Sequence, residues 1–559
     1  MRPDRPDYIV VGSGLAALSF AALMARRGRA VRVIEAHEHA GGFAHTFEAA
    51  GFRFNAQLHY VWNCGEGQTV HRFLTKLGLV DEVRFVRYDP LGFDRMRMPG
   101  YALDVPGDPE LLKSRLAALF PGDRRALAAF VDEVFATADE LDRVPTPITP
   151  RDLLRVGRFR RVIRYRGASL QDVFDRFALP LPAQTLLALQ WPDFLLPPAR
   201  LSFFAWVMLF VGYCRGAYYP ERHFEHVIDS LVATIEAAGG EVLLGQRVVD
   251  FLFAGERMVG VRAEVVDARG IGEGERVDHL GGAVVCNMDP RAAAAIIGPQ
   301  RFAAKIRRRL DYAYSPSNFV AYLGVEGIDL REHGFGRSNL FHTEEPDLNR
   351  AFTQMERFGD YRRPSFALTT PSLLTDDASD RPPGTQIVEL LTVADFGRFA
   401  HLRSANIKAY NAKKREIFAS ILRVIERDYI PGFGDKICFK MLGSPTTNLR
   451  YCLAPEGNSY GSDMSPASVG PGRLDHRSSI PGLYFCNASA GYAGFAGTVW
   501  TGSRLYEVLS GDEFLDHGAA GALAPSSIRS PRQDAAASCR RDRTDGRGVR
   551  PRGTFAAAR

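Results

Sequence analysis

The stretch that most constrains this chain is its beginning, where YIVV runs into GSGLAALSFAALMARRG and then AVRVIEA. An apolar run of strand length, a glycine turn, an amphipathic pattern ended by Gly28 and a second apolar run make one βαβ unit. Gly12, Gly14 and Ala17 spell GxGxxA at the junction of strand and helix. Gly12 permits the tight turn, and the bare Gly14 lets a pyrophosphate approach the backbone. The helix N-terminus adds free N–H groups and the positive end of its dipole. Ala17 is small enough for close packing of helix on strand. Glu35, twenty-one residues after Gly14, ends the second strand and places a carboxylate where a ribose diol would hydrogen-bond to it. Ser13, Leu15, Ala16 and Ala36 complete the expected cradle.

Gly41, Gly42 and Phe43 follow directly. A glycine pair just after the acidic strand end offers a second close backbone approach, which favours FAD over NAD. More than four hundred residues later, Asn487, Gly491, Phe495, Ala496, Gly497 and Thr498 belong to a loop of small residues, ASAGYAGFAG, that runs into a helix. Its exposed backbone suits a flavin ring and ribityl chain, with an alanine-rich packing turn as the alternative.

These segments resemble the phytoene desaturase, carotenoid isomerase and retinol saturase family of FAD-dependent oxidoreductases, more distantly the amine oxidases. The resemblance covers most of residues 7–512. It runs through the N-terminal signature and its extension GFRFNAQLHYVW, then AYYPERHFEHVIDSLVATIEAAGGEVLLGQRV, then PEGNSYGSDMSP and IPGLYFCNASAGYAGFAGTVWTG. It implies that Val248 meets the adenine through its backbone. Two positions depart from the pattern: Asn55 stands where many relatives carry Asp, and Asn487 where a glycine usually opens the last signature. Both are expected beside the flavin, so the departures bear on reaction type.

The implied fold class is α/β, a Rossmann-type FAD-binding domain of the two-dinucleotide-binding-domain kind with an interleaved α+β substrate domain and a helical cap. The boundaries read as 1–94, 220–298 and 440–517 for the FAD-binding domain, 95–219 for the cap and 299–439 for the substrate domain. Residues 518–559 form an aperiodic tail, expected to be disordered. The formal net charge of +6 is accounted for by that tail, whose nine Arg and three Asp leave the rest neutral. No polyanion-binding field is implied, and no nucleic-acid-binding motif is present. Seven scattered cysteines without a CxxC pair or metal-ligand spacing point to a reducing compartment and no metal site. The longest apolar run, Leu201 to Tyr213, is too short for a bilayer-spanning helix. A cytoplasmic location is expected, with peripheral contact at the inner membrane face suggested by RDLLRVGRFRRVIRYR at 151–166, seven Arg among apolar residues. An exposed cap helix with solvated arginines explains the same pattern.

In such enzymes the flavin carries hydride or electron chemistry while the protein positions a substrate bond and excludes water. The expected substrate is a long apolar polyene, isoprenoid or acyl lipid, altered at carbon–carbon double bonds by desaturation, saturation or cis–trans isomerisation. Trp191, Phe194, Phe203, Phe204, Trp206 and Phe210 fit an apolar tunnel collectively, although each alone fits a core position better. His59 and Tyr60 in QLHYVW are the polar candidates for catalysis: the imidazole suits proton donation or a structural hydrogen bond equally. Tyr492 and Trp500 could line the substrate site or act as filler. A flavin amine oxidase on a polar substrate and a non-catalytic flavoprotein are the competing readings.

Overall fold

The computed structural model describes residues 5–144, 156–267, 270–375, 378–470 and 472–515. The first apolar run forms strand Tyr8–Val11, followed by helix Leu15–Arg26 and strand Val31–Ile34. These strands sit in a five-stranded sheet whose spatial order is Glu241–Leu243, Val31–Ile34, Tyr8–Val11, Ala283–Cys286 and Leu483–Phe485, parallel throughout. In chain order that is 3-2-1-4-5, the doubly wound arrangement, with Tyr8–Val11 central. Side chains alternate as the pleat demands: Val10, Val33 and Val285 face one core, while Ile9, Val11, Ile34 and Val284 face another with Val248, Phe251 and Val261. The latter three belong to an antiparallel sheet of Gln246–Ala254, Arg257–Val266 and Gly272–Leu280.

The order reverses at Tyr8–Val11, whose neighbours are the second and fourth strands in chain order. In open α/β sheets such a switch point leaves a crevice at the carboxyl ends of the strands. The turn at Gly12 and the segment from Asn287 both begin there.

A seven-stranded mixed sheet carries the other half of the molecule. Its order is Ile437–Gly443, Ser317–Glu326, Thr385–Ala394, Ser365–Thr369, Asn339–Thr343, Asp94–Met98 and Tyr101–Val105. Helical character, read from the sequence as starting near 95, starts at Pro109 instead. Residues 94–105 alternate buried and exposed side chains, so they pair as a hairpin at the sheet edge. A small sheet of Val61–Trp62, Ala217–Pro220 and Phe85–Arg87 lies where these segments meet and brings Tyr60, Tyr88 and Tyr219 into one neighbourhood.

The cap aromatics are core. Trp206 packs against Phe130, Phe174, Phe203 and Phe210, and Trp191 donates its indole N–H to Ser365 Oγ at 2.9 Å. Trp191, Phe194, Phe203, Phe204, Trp206 and Phe210 are all buried, so the tunnel they were expected to form gives way to side-chain packing. Part of the basic stretch 151–166 falls outside the described residues. Its remainder is a short turn and the six-residue helix Arg160–Tyr165, where Arg161 bonds Glu133 and Glu140 at 2.9 Å each and Tyr165 bonds Glu133. These contacts tie the described part of the stretch to the helix Arg124–Leu141. Among the described residues no helix is long and apolar enough to cross a membrane. The tail at 518–559 lies outside the described residues.

Candidate active site

A cleft of about 520 Å³ runs along the carboxyl ends of the parallel strands, a volume in the usual range for cofactor sites. Gly12, Gly14, Leu15, Ala16, Glu35, Ala36, Gly41, Gly42, Phe43, Val248, Asn487, Phe495 and Thr498 all line it. Two helix N-termini, those of Leu15–Arg26 and Gly494–Ser510, open onto it, each offering first-turn N–H groups to an anion or carbonyl.

The remaining expected residues stand behind that wall. Ser13 is fully buried, and its N–H and hydroxyl both donate to Glu35 Oε2 at 2.7 Å. His37 N–H donates to Glu35 Oε1 at 2.8 Å. A carboxylate has about four acceptor positions, so three donors fix its orientation and still leave room for a ribose hydroxyl. Gly491 does not line the cleft. Its carbonyl and that of Ala488 accept from the guanidinium of Arg473, which holds the small-residue loop. Ala496 is buried within the last helix, and Gly497 on that helix packs against Tyr492. Tyr492 in turn meets Trp500 edge-on at 5.1 Å.

Sequence reasoning missed Asn287. Its Oδ1 accepts the Gly14 N–H at 3.1 Å and its Nδ2 donates to the Cys486 carbonyl, so one amide bridges the first, fourth and fifth strand ends across the switch point. A Cβ on Gly14 would fall 2.4 Å from Asn287 Oδ1, so this glycine is required by the protein itself as well as by any pyrophosphate. The only sequence signal was an amide directly after the buried strand AVVC. The second glycine pair likewise packs inward: a Cβ on Gly42 would lie 3.2 Å from Gly14 Cα. The two turns therefore support each other.

At the rim, His37, His39 and His45 cluster with ring centres 5.5 and 5.6 Å apart. Burial lowers His45 to about 4, so it is neutral at pH 7 and its Nδ1 sits 2.6 Å from the Gly42 carbonyl.

Asn487 braces the loop: its side chain accepts from Ala490 N–H at 3.0 Å and donates to the Met288 carbonyl at 3.1 Å. Asn55, expected beside the flavin, does not line the cleft. It is buried and donates to Tyr219 Oη at 2.7 Å. Tyr60 also lies off the cleft, because its ring stacks on Tyr213 at 4.0 Å and its hydroxyl turns to Asp193 and Asp94. His59 itself does not line the cleft, although Gln57 and Leu58 just before it do. Its Nδ1 is 2.8 Å from Oε2 of the buried Glu389, while its Nε2 is buried without a partner. A carboxylate-oriented imidazole with one free nitrogen is the arrangement of a proton donor or acceptor.

A cleft with a GxGxxA turn at a sheet switch point defines a dinucleotide-binding fold. A family model for an NAD(P)-binding Rossmann-like domain matches residues 10–77. All-trans-retinol 13,14-reductase of Danio rerio is 23% identical over 89% of this chain and 84% of that protein. The Homo sapiens protein of the same name is 24% identical with the same coverage. Prolycopene isomerase 2, chloroplastic, of an Oncidium hybrid cultivar is 22% identical over 86% of this chain and 79% of that protein. Over most of its length the chain is thus similar to retinol reductases and prolycopene isomerases. Among solved structures, putrescine oxidase bound to putrescine superposes with a TM-score of 0.59 at 13% identity, covering 91% of this chain and 99% of that one. Cyclohexylamine oxidase from Brevibacterium oxydans IH-35A gives 0.57 at 14% identity, covering 90% and 100%. These two likenesses establish the fold.

Proposed function

We propose that the cleft holds FAD and that the enzyme acts on a carbon–carbon double bond of a long apolar polyene. The observation that carries the cofactor reading is the meeting, on one cleft, of two glycine turns, a ribose-ready Glu35 and two helix N-termini. Gly14 and the first turn of helix Leu15–Arg26 would hold the pyrophosphate, Glu35 the ribose, Val248 the adenine, and the Asn487–Thr498 loop the flavin side. Bound there, FAD supplies hydride or electron transfer. The substrate class rests on the relatives, whose names specify retinol and prolycopene, both conjugated polyenes.

The chain's own share is orientation and proton handling. Glu389 fixes the imidazole of His59 through Nδ1, which leaves Nε2 to give or take a proton. Leu58, at the cleft wall next to His59, contributes apolar surface that excludes water. Proton transfer at a carbon of the polyene benefits from both, since carbon is a poor base and a charged intermediate is easily quenched by water.

The purified protein should be yellow, bleach on reduction with dithionite and re-oxidise. Expressed beside candidate polyenes, it should yield a product differing by two hydrogens, or by none with altered chromatographic retention. A colourless protein that cannot be reconstituted with FAD refutes the cofactor reading. A reconstituted protein that alters no polyene but oxidises amines refutes the substrate reading.

A further inference from the structure

Away from the cleft, the interior holds two carboxyl groups with no cation beside them. Asp94 opens the strand next to the edge of the seven-stranded sheet and is fully buried, and Asp193 ends the turn Trp191–Asp193 and is partly buried. Tyr60 Oη lies 2.8 Å from Asp193 Oδ2 and 3.1 Å from Asp94 Oδ2. Asp94 also receives the amides of Gln190 and Asn339, the latter at 3.1 Å. Among the described residues neither carboxyl forms an ion pair. Arg97, on the same strand, pairs with Asp104, and Arg215, ending the helix beside Tyr213, pairs with Asp139 and Asp142. Arg95 donates to the Gly334 carbonyl. The other groups facing the pair are uncharged at neutral pH: Tyr213, Tyr88, Cys214 and the cleft-lining Tyr460.

Proton counting makes this cluster unusual. A phenol owns one proton and can donate to one carboxylate only. The other short contact would set two acceptors against each other unless that carboxyl is itself protonated and donates to the phenol oxygen. Asp94 already has three donors, whereas Asp193 has Tyr60 alone, so the proton sits on Asp193 and the chain reads Asp193 O–H to Tyr60 O–H to Asp94. Burial raises both acids, Asp94 to about 7 and Asp193 well above the usual carboxylate range, with the charge of Asp94 acting second on Asp193.

A second observation gives the cluster a direction. Gln190 Oε1, Asn339 Oδ1, Tyr88 Oη, Glu389 Oε1 and His59 Nε2 are all buried and have no hydrogen-bond partner among the described residues. Buried polar groups are nearly always paired, by protein or by ordered water, so these five mark places where water can join the groups. The ring of Tyr88 lies 5.8 Å from that of Tyr60, and the charges of both Asp94 and Glu389 act on its hydroxyl.

We propose that Asp193, Tyr60 and Asp94 form a buried proton store that supplies the His59–Glu389 pair by way of Tyr88 and ordered water. Its use in catalysis rests on the role given to His59 above. No electrons move. As His59 Nε2 releases a proton to the reacting carbon, the Asp193 O–H breaks as Tyr60 takes that proton and passes its own to Asp94, and Asp94 passes one through ordered water and Tyr88 back to His59 Nε2, so that only Asp193 is left short of a proton. Asp193, the partly exposed member, is then reprotonated from water. Run backwards, the same path removes a proton.

Infrared difference spectroscopy on the full chain, with and without FAD, tests the store directly. At pH 7 a protonated-carboxyl C=O band that shifts in D2O is expected, lost in Asp193→Asn and shifted in frequency in Asp94→Asn. Absence of the band from the native protein, or its survival unchanged in both variants, overturns the store. Tyr88→Phe tests the relay: the band and FAD affinity should stay, while kcat falls roughly tenfold and its pH profile moves at constant KM, less than the full worth of a general acid. An unaltered kcat and pH profile overturns the relay. If no polyene is turned over by the native enzyme, the proposed function fails while the infrared result still judges the store.

Discussion

The dinucleotide cleft and the polar interior behind it are built on opposite principles. In the cleft, Glu35, Ser13, Asn287 and Asn487 each bond to partners at strand ends and turns, so the wall is rigid before any ligand arrives. In the interior, Tyr60 joins Asp94 to Asp193 and His59 meets Glu389, several polar atoms there are unpaired, and among the described residues neither Asp94 nor Asp193 has an ion-pair partner. Pairing of these four side chains fixes their part of the wall, although His37 Nε2 and Ser459 Oγ on the same cleft have no partner among the described residues. Incomplete pairing costs about 1–3 kcal/mol per buried group, and a protein retains such a cost where the groups must change protonation state.

The sharpest way to break this contrast is to remove the imidazole. His59→Ala should lower turnover about 10²–10⁴-fold while leaving the flavin bound, and Glu389→Gln should fall short of that by keeping a hydrogen-bond partner for Nδ1. Steady-state rates beside flavin absorbance check both. If both variants lose flavin instead, the interior and the cleft are one structural unit.

Next in size is Trp206→Ala, expected to cost about 3–5 kcal/mol of stability in urea unfolding because the indole is buried among four aromatic rings. At temperatures where the variant is folded, KM should be unchanged. A raised KM would restore the apolar tunnel.

The cleft was legible because its chemistry is local. Gly12, Gly14 and Glu35 are spaced by the geometry of one strand, turn and helix, and any chain that folds that way exposes the same N–H groups. The later loop was legible for the same reason, as small residues ahead of a helix. Asn287 was not, because its partners Gly14 and Cys486 lie 273 and 199 residues away and no spacing encodes such a bridge. The interior acids were hidden more deeply: Asp94 reads only as the last residue before the cap until the strand Asn339–Thr343 pairs beside it and Tyr60 reaches it from another segment. The cap aromatics misled because a tunnel wall and a packed core have the same composition.

A third test separates the two regions by pH. Asp94 is raised by burial to about 7, so the folded state binds more protons than the unfolded state between about pH 4 and 7, and this group's stabilisation falls as pH rises through that window. His45 at the cleft and His342 in the seven-stranded sheet are lowered by burial to about 4. The unfolded state binds more protons from about pH 6.5 down to 4, so their contribution is present above that window and lost on acidification, each by up to about 3 kcal/mol. Urea unfolding at pH 5 and pH 8 should therefore show Asp94→Asn gaining on the native protein at the higher pH. A gain at pH 5 instead would mean that Asp94 is ionised through a partner cation.

The smallest expected effect on stability carries the most information about the cleft. Asn287→Ala removes the acceptor for Gly14 N–H and the donor to Cys486 O, at a cost of about 1–2 kcal/mol, since the freed N–H faces the cleft and can be solvated. Flavin affinity should weaken several-fold as the turn loosens. Asn287→Asp keeps the acceptor and costs no more in unfolding, yet it sets a negative charge against Gly14, where the pyrophosphate is to lie. Like charges repel strongly in a partly enclosed site, so the aspartate variant should bind flavin more weakly than the alanine variant while being at least as stable. Flavin titration against urea unfolding reads the two orders together. If the aspartate variant binds flavin as well as the native protein, no phosphate lies beside Gly14, and the glycine turn serves only the Asn287 bridge.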